Sequence, residues 1–139
     1  MIALAEEALA DVVLPERPGF NRFIRRVPVG VVLTVAPWNY PLLTAVNSIV
    51  PALMAGNAVI LKHSHQTPLC GERMVEAGIG AGLPKGLFQF LHLTRDQTSN
   101  VIKSPEIGGV AFTGSVPGGE QIEQAAAGRF IPVGLELGG

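Results

Sequence analysis

Cysteine is almost absent from this chain of 139 residues, which contains only Cys70. A single thiol excludes an internal disulfide framework and is compatible with a reducing compartment. Charge is also scarce, at 15% of residues with a formal net charge of −1, so no overall field attracts nucleic acid. The one local basic cluster has no aromatic platform beside it, and we interpret it as a solvated or subunit-facing ribbon rather than a nucleic-acid patch. It consists of Arg17, Arg22, Arg25 and Arg26.

Long hydrophobic runs are missing too. The longest apolar stretch, residues 42–56, is short and is interrupted by Asn47, Ser48 and Pro51, which excludes a membrane span there. The first residues carry acids where a secretory signal carries lysine or arginine, so we expect no signal peptide. Together these features predict a cytoplasmic protein without a membrane or nucleic-acid partner.

Hydrophobic residues nevertheless make up 47% of the chain, and they fall into five short runs separated by stretches of helical character. This alternation predicts an α/β fold, a Rossmann-like, doubly wound, five-stranded parallel sheet with helices on both faces. The first two runs are continuously apolar, as expected for strands that are buried on both faces. The predicted strands are 30–36, 58–62, 87–91, 109–113 and 130–137.

Local signals mark the ends of the helices. Thr67 followed by Pro68 predicts a helix start, and Ser115 can cap the last helix, which Gly128 can close. Pro51 should kink the helix over residues 42–55 or mark its boundary.

Residues 1–29 do not belong to the alternating pattern. An alanine-rich helical stretch is followed by FNRFIRRV, which can form an extended ribbon. We therefore divide the chain into a leader, residues 1–29, and an α/β domain, residues 30–139.

Polar residues follow four of the predicted strands. Ligands of open α/β sheets bind outside the carboxyl ends of the strands, where the strand order reverses, so we predict a site at this edge. The residues concerned are Trp38 and Asn39, then Lys62, His63, Ser64 and His65, then Thr113, Gly114 and Ser115, and finally Glu136.

Four motifs occur in order along the chain: APWNYP, GNAVILK followed by QTP, AFTGS with a second glycine five residues after its first, and ELGG. Together they resemble the cofactor-binding domain of the aldehyde dehydrogenase superfamily over nearly all of residues 10–139. The resemblance implies that residues 30–139 form an NAD(P)-binding domain and that residues 1–29 are part of a leader with an oligomerisation ribbon. It also implies a chain that is truncated before the catalytic domain and its nucleophilic cysteine.

The resemblance assigns two catalytic residues. Asn39 is the amide that stabilises the negatively charged oxygen of a tetrahedral thiohemiacetal, and Glu136 is the general base that activates water for thioester hydrolysis. Gly138 and Gly139 allow the backbone to approach closely there. From the residues alone, PWNYP can instead be a rigid turn, and Glu136 can be an ordinary exposed carboxylate.

NAD or NADP is the cofactor that the resemblance implies. Gly114 and Ser115 precede a helix, and the N–H groups and positive dipole end of such a helix suit a pyrophosphate. Lys62 is assigned to the adenosine ribose, although it can also be an ordinary lysine at a strand end. The assigned cofactor-binding residues are Trp38, Lys62, His65, Gly114, Ser115, Gly119 and Leu137.

The stretch Lys62-His63-Ser64-His65 departs from the family, which often has Lys-Pro-Ser-Glu there. Loss of the carboxylate removes repulsion against a 2′-phosphate, and a protonated His65 would attract one, so we expect NADP to be tolerated as well as NAD. His63 and His65 also suggest a metal pair, but no third ligand stands nearby. We interpret both histidines as solvated and predict no metal site.

Three functions remain open from the sequence. The first is an NAD(P)-dependent aldehyde dehydrogenase that oxidises an aldehyde to a carboxylic acid, with this chain an inactive part of it. The others are a non-catalytic dinucleotide-binding module and an interaction module that pairs with full-length relatives. Cys70 lies on an apolar helical stripe, and we interpret it as a buried structural thiol rather than the nucleophile. The expected partners are a small aldehyde and further copies of the complete enzyme.

Overall fold

The leader forms a small ribbon. The computed structural model describes residues 2–138, so Met1 and the final glycine of ELGG, Gly139, lie outside the described residues. A 3-10 helix (Ile2–Leu4) and a short helix α1 (Ala5–Leu9) come first. Strands β1 (Val12–Val13) and β2 (Phe23–Ile24) then pair antiparallel. The ribbon expected from FNRFIRRV is therefore present, while its role in oligomerisation and the domain boundaries stay predictions.

The remaining strands form one parallel sheet of five strands in the order β5-β4-β3-β6-β7. The chain runs outward from β3 to β5 on one side and then returns to build β6 and β7 on the other side. This order confirms the predicted doubly wound α/β fold. The strands are β3 (Val31–Val35), β4 (Ala58–Lys62), β5 (Phe88–Phe90), β6 (Ile107–Ser115) and β7 (Val133–Gly138).

Helices cover the sheet on both faces, as predicted. On one face, α2 (Pro41–Met54) and α3 (Pro68–Gly80) enclose a core that includes Val59, Leu61 and Phe88. On the other face, α4 (Arg95–Lys103) and α5 (Val116–Ala126) enclose a core that includes Leu33 and Ile102. None of the helices within residues 2–138 has the length and apolarity needed to cross a membrane.

The capping signals have two outcomes. Ser115 Oγ accepts a hydrogen bond from the Gly118 N–H at 3.3 Å, and Gly128 has a φ of 76° just after α5, so both predicted ends of α5 are confirmed. Thr67 precedes α3 as predicted, but its hydroxyl makes no cap. That hydroxyl lies instead 3.0 Å from Nδ1 of His63.

Strand β6 extends two residues beyond the predicted range, 109–113, at each end, and two further features differ from the sequence expectation. Pro51 does not mark the end of α2, because the helix continues through it to Met54. The last strand begins at Val133 rather than at residue 130. Phe130 has a left-handed φ of 55°, and Pro132 has no N–H to donate to a ladder, so neither suits a strand interior.

The leader joins the sheet through a buried amide. Oδ1 of Asn57 accepts hydrogen bonds from the N–H groups of Val29 and Gly30 at 2.7 and 3.1 Å, and its Nδ2 donates to the Ala52 carbonyl at 3.0 Å. Gly108 is the extra residue where the β3–β6 register shifts. A Cβ at Gly108 would lie 1.9 Å from the carbonyl oxygen of Val29, so only glycine fits.

We therefore expect Gly108→Ala to lower the free energy of unfolding by about 2–4 kcal/mol, because the clash is with backbone that Asn57 holds in place. Gly134→Ala is the matched control, since the nearest atom to its added Cβ is 3.9 Å away. Urea unfolding of both variants measures the difference. Equal stability of the two variants would contradict the close approach of Val29.

Candidate functional site

Residues from the carboxyl ends of all five parallel strands line one cleft of about 1190 Å³. Four of these strand ends were predicted from the sequence. The end of β5 was missed, and with it the start of α4, because neither carries a motif. The missed lining residues include His92, Leu93, Thr94, Arg95 and Gln97.

The turn after β3 carries Trp38 and Asn39 into the cleft. Tyr40 has left-handed backbone angles (φ 48°, ψ 52°), and α2 begins at once with Pro41. A left-handed residue followed by proline leaves the turn few alternative conformations. Trp38 is 60% exposed, and within residues 2–138 the Asn39 amide has no hydrogen-bond partner, so both side chains are available to a ligand.

Lys62, at the end of β4, is a half-buried cation in the cleft. Burial lowers its pKa, and the positive charge of Arg95 lowers that pKa further. The ion pairs of the described residues join Arg25 to Asp11, Arg73 to Glu76 and His92 to Glu72, so no carboxylate compensates Lys62. Two nearby cations that take part in none of these ion pairs suit an anionic ligand.

The two histidines after β4 differ from each other, which corrects our expectation that both are solvated. His65 is exposed and lines the cleft, whereas His63 is only 5% exposed and is hydrogen-bonded. No group of three or more histidine, cysteine or acidic side chains within residues 2–138 is placed to hold a metal ion.

The glycines at the end of β6 make room for an aromatic ring. A Cβ at Gly114 would lie 2.6 Å from Cζ of Phe112, and one at Gly118 would lie 2.7 Å from the same atom. Phe112 itself lines the cleft and was not predicted. Gly114 and Ser115 both line the cleft beside the start of α5, and their assignment to a pyrophosphate stays a prediction.

Gly119 and Leu137 meet each other outside the cleft lining. A Cβ at Gly119 would lie 2.7 Å from Cδ2 of Leu137, so this glycine allows α5 to pack closely on β7. Their assignment to the cofactor stays a prediction.

Glu136 is exposed and lines the cleft from β7. Its neighbours Leu135 and Leu137 lie against the α5 side, and side chains alternate along a strand, so Glu136 faces the opposite side. It pairs in register with Thr113 of β6. Two strand spacings of about 4.8 Å separate β7 from β3, so Glu136 and the Asn39 turn lie on opposite sides of the end of β6.

Cys70 is half-buried rather than buried, and it does not line the cleft. The buried positions of α3 are Gly71 and Val75, so the apolar stripe lies on a different face from the one expected.

An open, doubly wound sheet with a polar cleft at its strand-order reversal defines a nucleotide-binding type of α/β domain. The sequence model described as the aldehyde dehydrogenase family matches residues 1–139, and the chain belongs to that family.

Curated relatives include the betaine aldehyde dehydrogenase of Agrobacterium fabrum, 44% identical over 117 residues, which are 84% of this chain and 24% of that protein. The geranial dehydrogenase of Castellaniella defragrans is 40% identical over 99% of this chain and 29% of its own length. The matched part of the chain thus corresponds to 24% and 29% of the length of these two relatives.

Solved structures agree over a similar portion. A succinic semialdehyde dehydrogenase from Streptococcus pyogenes, in complex with NADP+, superposes with a TM-score of 0.91 at 32% identity, over 99% of this chain and 30% of that one. PnpE in complex with nicotinamide adenine dinucleotide has a TM-score of 0.91 at 34% identity, over 99% of this chain and 28% of that one.

Burial of the Lys62 charge should cost stability. The folded-state pKa lies below 10.5, so the unfolded state binds more protons between the two values, and wild-type stability rises as the pH increases through that window. We expect Lys62→Met to be more stable than wild type at pH 7, with the difference shrinking as the pH approaches 10.5. Thermal unfolding across pH measures this, with the exposed Lys103→Met as control. A Lys62→Met protein less stable than wild type at pH 7 would contradict it.

Proposed function

We propose that this chain is the dinucleotide-binding part of an NAD(P)-dependent aldehyde dehydrogenase, which oxidises an aldehyde to a carboxylic acid with hydride transfer to NAD(P). The observation that carries the proposal is the single cleft that Asn39, Lys62, Ser115 and Glu136 share, in a chain of this family. Residues 30–139 form the binding domain in this proposal, and residues 1–29 belong to an oligomerisation leader. The nucleophilic cysteine and the aldehyde-binding surface are supplied by the longer protein.

The residues of the cleft fit a dinucleotide. The positive end of the α5 dipole faces the pyrophosphate, and the Ser115 hydroxyl can donate its proton to a phosphate oxygen while its Oγ accepts from the Gly118 N–H. Trp38 offers an exposed aromatic surface beside the cofactor. Gly119 and Leu137 contribute through the close packing of α5 on β7 and through backbone at the strand end.

The adenosine end of the dinucleotide is assigned to Lys62, His65 and Arg95. Lys62 donates to the ribose, and the positive charges of Lys62 and Arg95 favour a 2′-phosphate there. The acid that the family often has at position 65 is replaced by an exposed histidine. These features support use of NADP as well as NAD.

The reacting end is assigned to Asn39 and Glu136. When bound, the dinucleotide supplies the hydride acceptor. The Asn39 amide N–H donates to the oxygen on which negative charge develops, and the constrained turn fixes that N–H before the charge appears. Glu136 takes a proton from the water that hydrolyses the thioester, from the side of the cleft across β6.

Dinucleotide binding by the 139-residue chain is tested by titrating it with NADH and NADPH and measuring the quenching of its one tryptophan, Trp38. We expect both to bind, and Arg95→Gln to weaken NADPH about tenfold while changing NADH much less, since it removes a charge that meets only the 2′-phosphate. Arg73→Gln, in an exposed ion pair outside the cleft, is the control. The proposal would be overturned if neither NADH nor NADPH bound. If Arg95→Gln lost the same amount of affinity for both nucleotides, Arg95 would not be a contact of the 2′-phosphate. Binding without aldehyde oxidation by the natural protein would favour the non-catalytic module.

Asn39→Ala in the natural protein that contains this chain is expected to lower kcat about 10²–10³-fold with little change in NADH affinity, because one oxyanion donor is lost. Asn100→Ala, an exposed amide on α4 outside this cleft, is the control. Steady-state kinetics and NADH titration measure the two effects. Loss of NADH affinity with an unchanged kcat would place Asn39 in binding rather than in chemistry.

A further inference from the structure

His63 is a buried polar side chain to which the proposed function gives no role. It is 5% exposed, and both ring nitrogens are in hydrogen-bonding contact. Nε2 lies 2.9 Å from the carbonyl oxygen of Pro41, and Nδ1 lies 3.0 Å from the Ser64 N–H nitrogen and 3.0 Å from the Thr67 hydroxyl. The α3 backbone approaches it closely, since a Cβ at Gly71 would lie 3.3 Å from the His63 Cβ.

These contacts select one form of the imidazole. The Ser64 N–H can only donate, so Nδ1 must be the unprotonated acceptor. The neutral ring then carries its proton on Nε2, which donates to the Pro41 carbonyl. Protonation of Nδ1 would put a donor against the Ser64 N–H and remove the acceptor that this group and Thr67 share.

The His63 ring joins the two loops that carry opposite ends of the proposed site. Pro41 follows directly on the strained turn of Trp38, Asn39 and Tyr40, whereas His63 itself lies between Lys62 and His65. The hydrogen bond from the His63 ring to the Pro41 carbonyl connects these two loops, and no other side-chain hydrogen bond among the described residues does so.

We propose that His63, in its neutral Nε2–H form, is a positioning residue that holds the Asn39 turn in place against the loop of residues 62–66. The role in positioning rests on the proposed function, but the link between the loops does not. If this proposal is correct, the order of the Trp38–Asn39–Tyr40 turn depends on a hydrogen-bond donor at the Nε2 position of residue 63.

Two substitutions separate this role from simple filling of space. A glutamine at 63 can place its amide N–H where His Nε2 is, so His63→Gln keeps the donor to Pro41 but has no acceptor at the Nδ1 position. An asparagine can place its carbonyl where Nδ1 is, so His63→Asn keeps the contacts to Ser64 and Thr67 but cannot reach Pro41. The Trp38 turn is read directly, without ligand, by acrylamide quenching and fluorescence anisotropy.

We expect His63→Gln to match wild type in Trp38 quenching, Trp38 anisotropy and NADH affinity. In His63→Asn, Trp38 should be more mobile and more readily quenched, and NADH should bind about three- to tenfold more weakly, which is the effect of one lost buried hydrogen bond. Equal behaviour of the two variants would overturn the proposal, as would a His63→Asn protein that is only less heat-stable with an unchanged Trp38. Because the Trp38 readout needs no dinucleotide, failure here is distinct from failure of the proposed function.

A second comparison keeps the test decisive if His63→Asn does not fold. His63→Met fills similar space but, unlike His63→Gln, has no N–H to donate to the Pro41 carbonyl. We expect a more quenchable Trp38 in His63→Met than in His63→Gln, and equal quenching in these two variants would overturn the proposal.

Discussion

The parallel pairing of β3 with β6 is the interaction on which the rest of the structure depends. It brings the returning chain to the free side of β3, so that α4 and α5 cover the face opposite α2 and α3. The connections after β3 and β6 therefore diverge to opposite faces, and a crevice opens between their strand ends. Gly108 sets this pairing, because its bulge moves Val32 opposite Gly109 and thereby Val35 opposite Phe112. The cleft follows from that register.

Two buried polar side chains lie at opposite ends of this apolar sheet. Asn57 at the amino ends satisfies the N–H groups where the leader enters, and His63 at the carboxyl ends satisfies groups of two loops. A buried donor or acceptor left unpaired costs about 1–3 kcal/mol, so each side chain specifies one arrangement of the backbone around it. The hydrophobic core holds the helices against the sheet, whereas Asn57 and His63 hold the segments that connect the strands and helices.

Sequence reasoning found the features that local chemistry determines. Apolar runs located the five strands, and the Ser115 cap and Gly128 end of α5 follow from the preferences of single residues. The contribution of β5 was not predictable, because His92 and Arg95 reach the cleft only through the position of their strand in the sheet. His63 was misjudged for a related reason. A histidine among polar neighbours looks solvated, and only the approach of α3 through Gly71 and of the α2 start through Pro41 buries it.

Charge is distributed unevenly along the cleft, and the proposed function gives this a physical meaning. The cations Lys62 and Arg95 lie on the β4 and α4 side, and Glu136 lies at the far edge on β7. In the proposed arrangement the dinucleotide phosphates meet the cations and the α5 dipole, away from the carboxylate that must accept a proton. Binding energy gained at the adenosine end is useful to the reaction only if it fixes the reacting end, which needs a rigid connection between the two. The sheet supplies that connection between strands, and beyond the strand ends it falls to hydrogen bonds such as the one from His63 to Pro41.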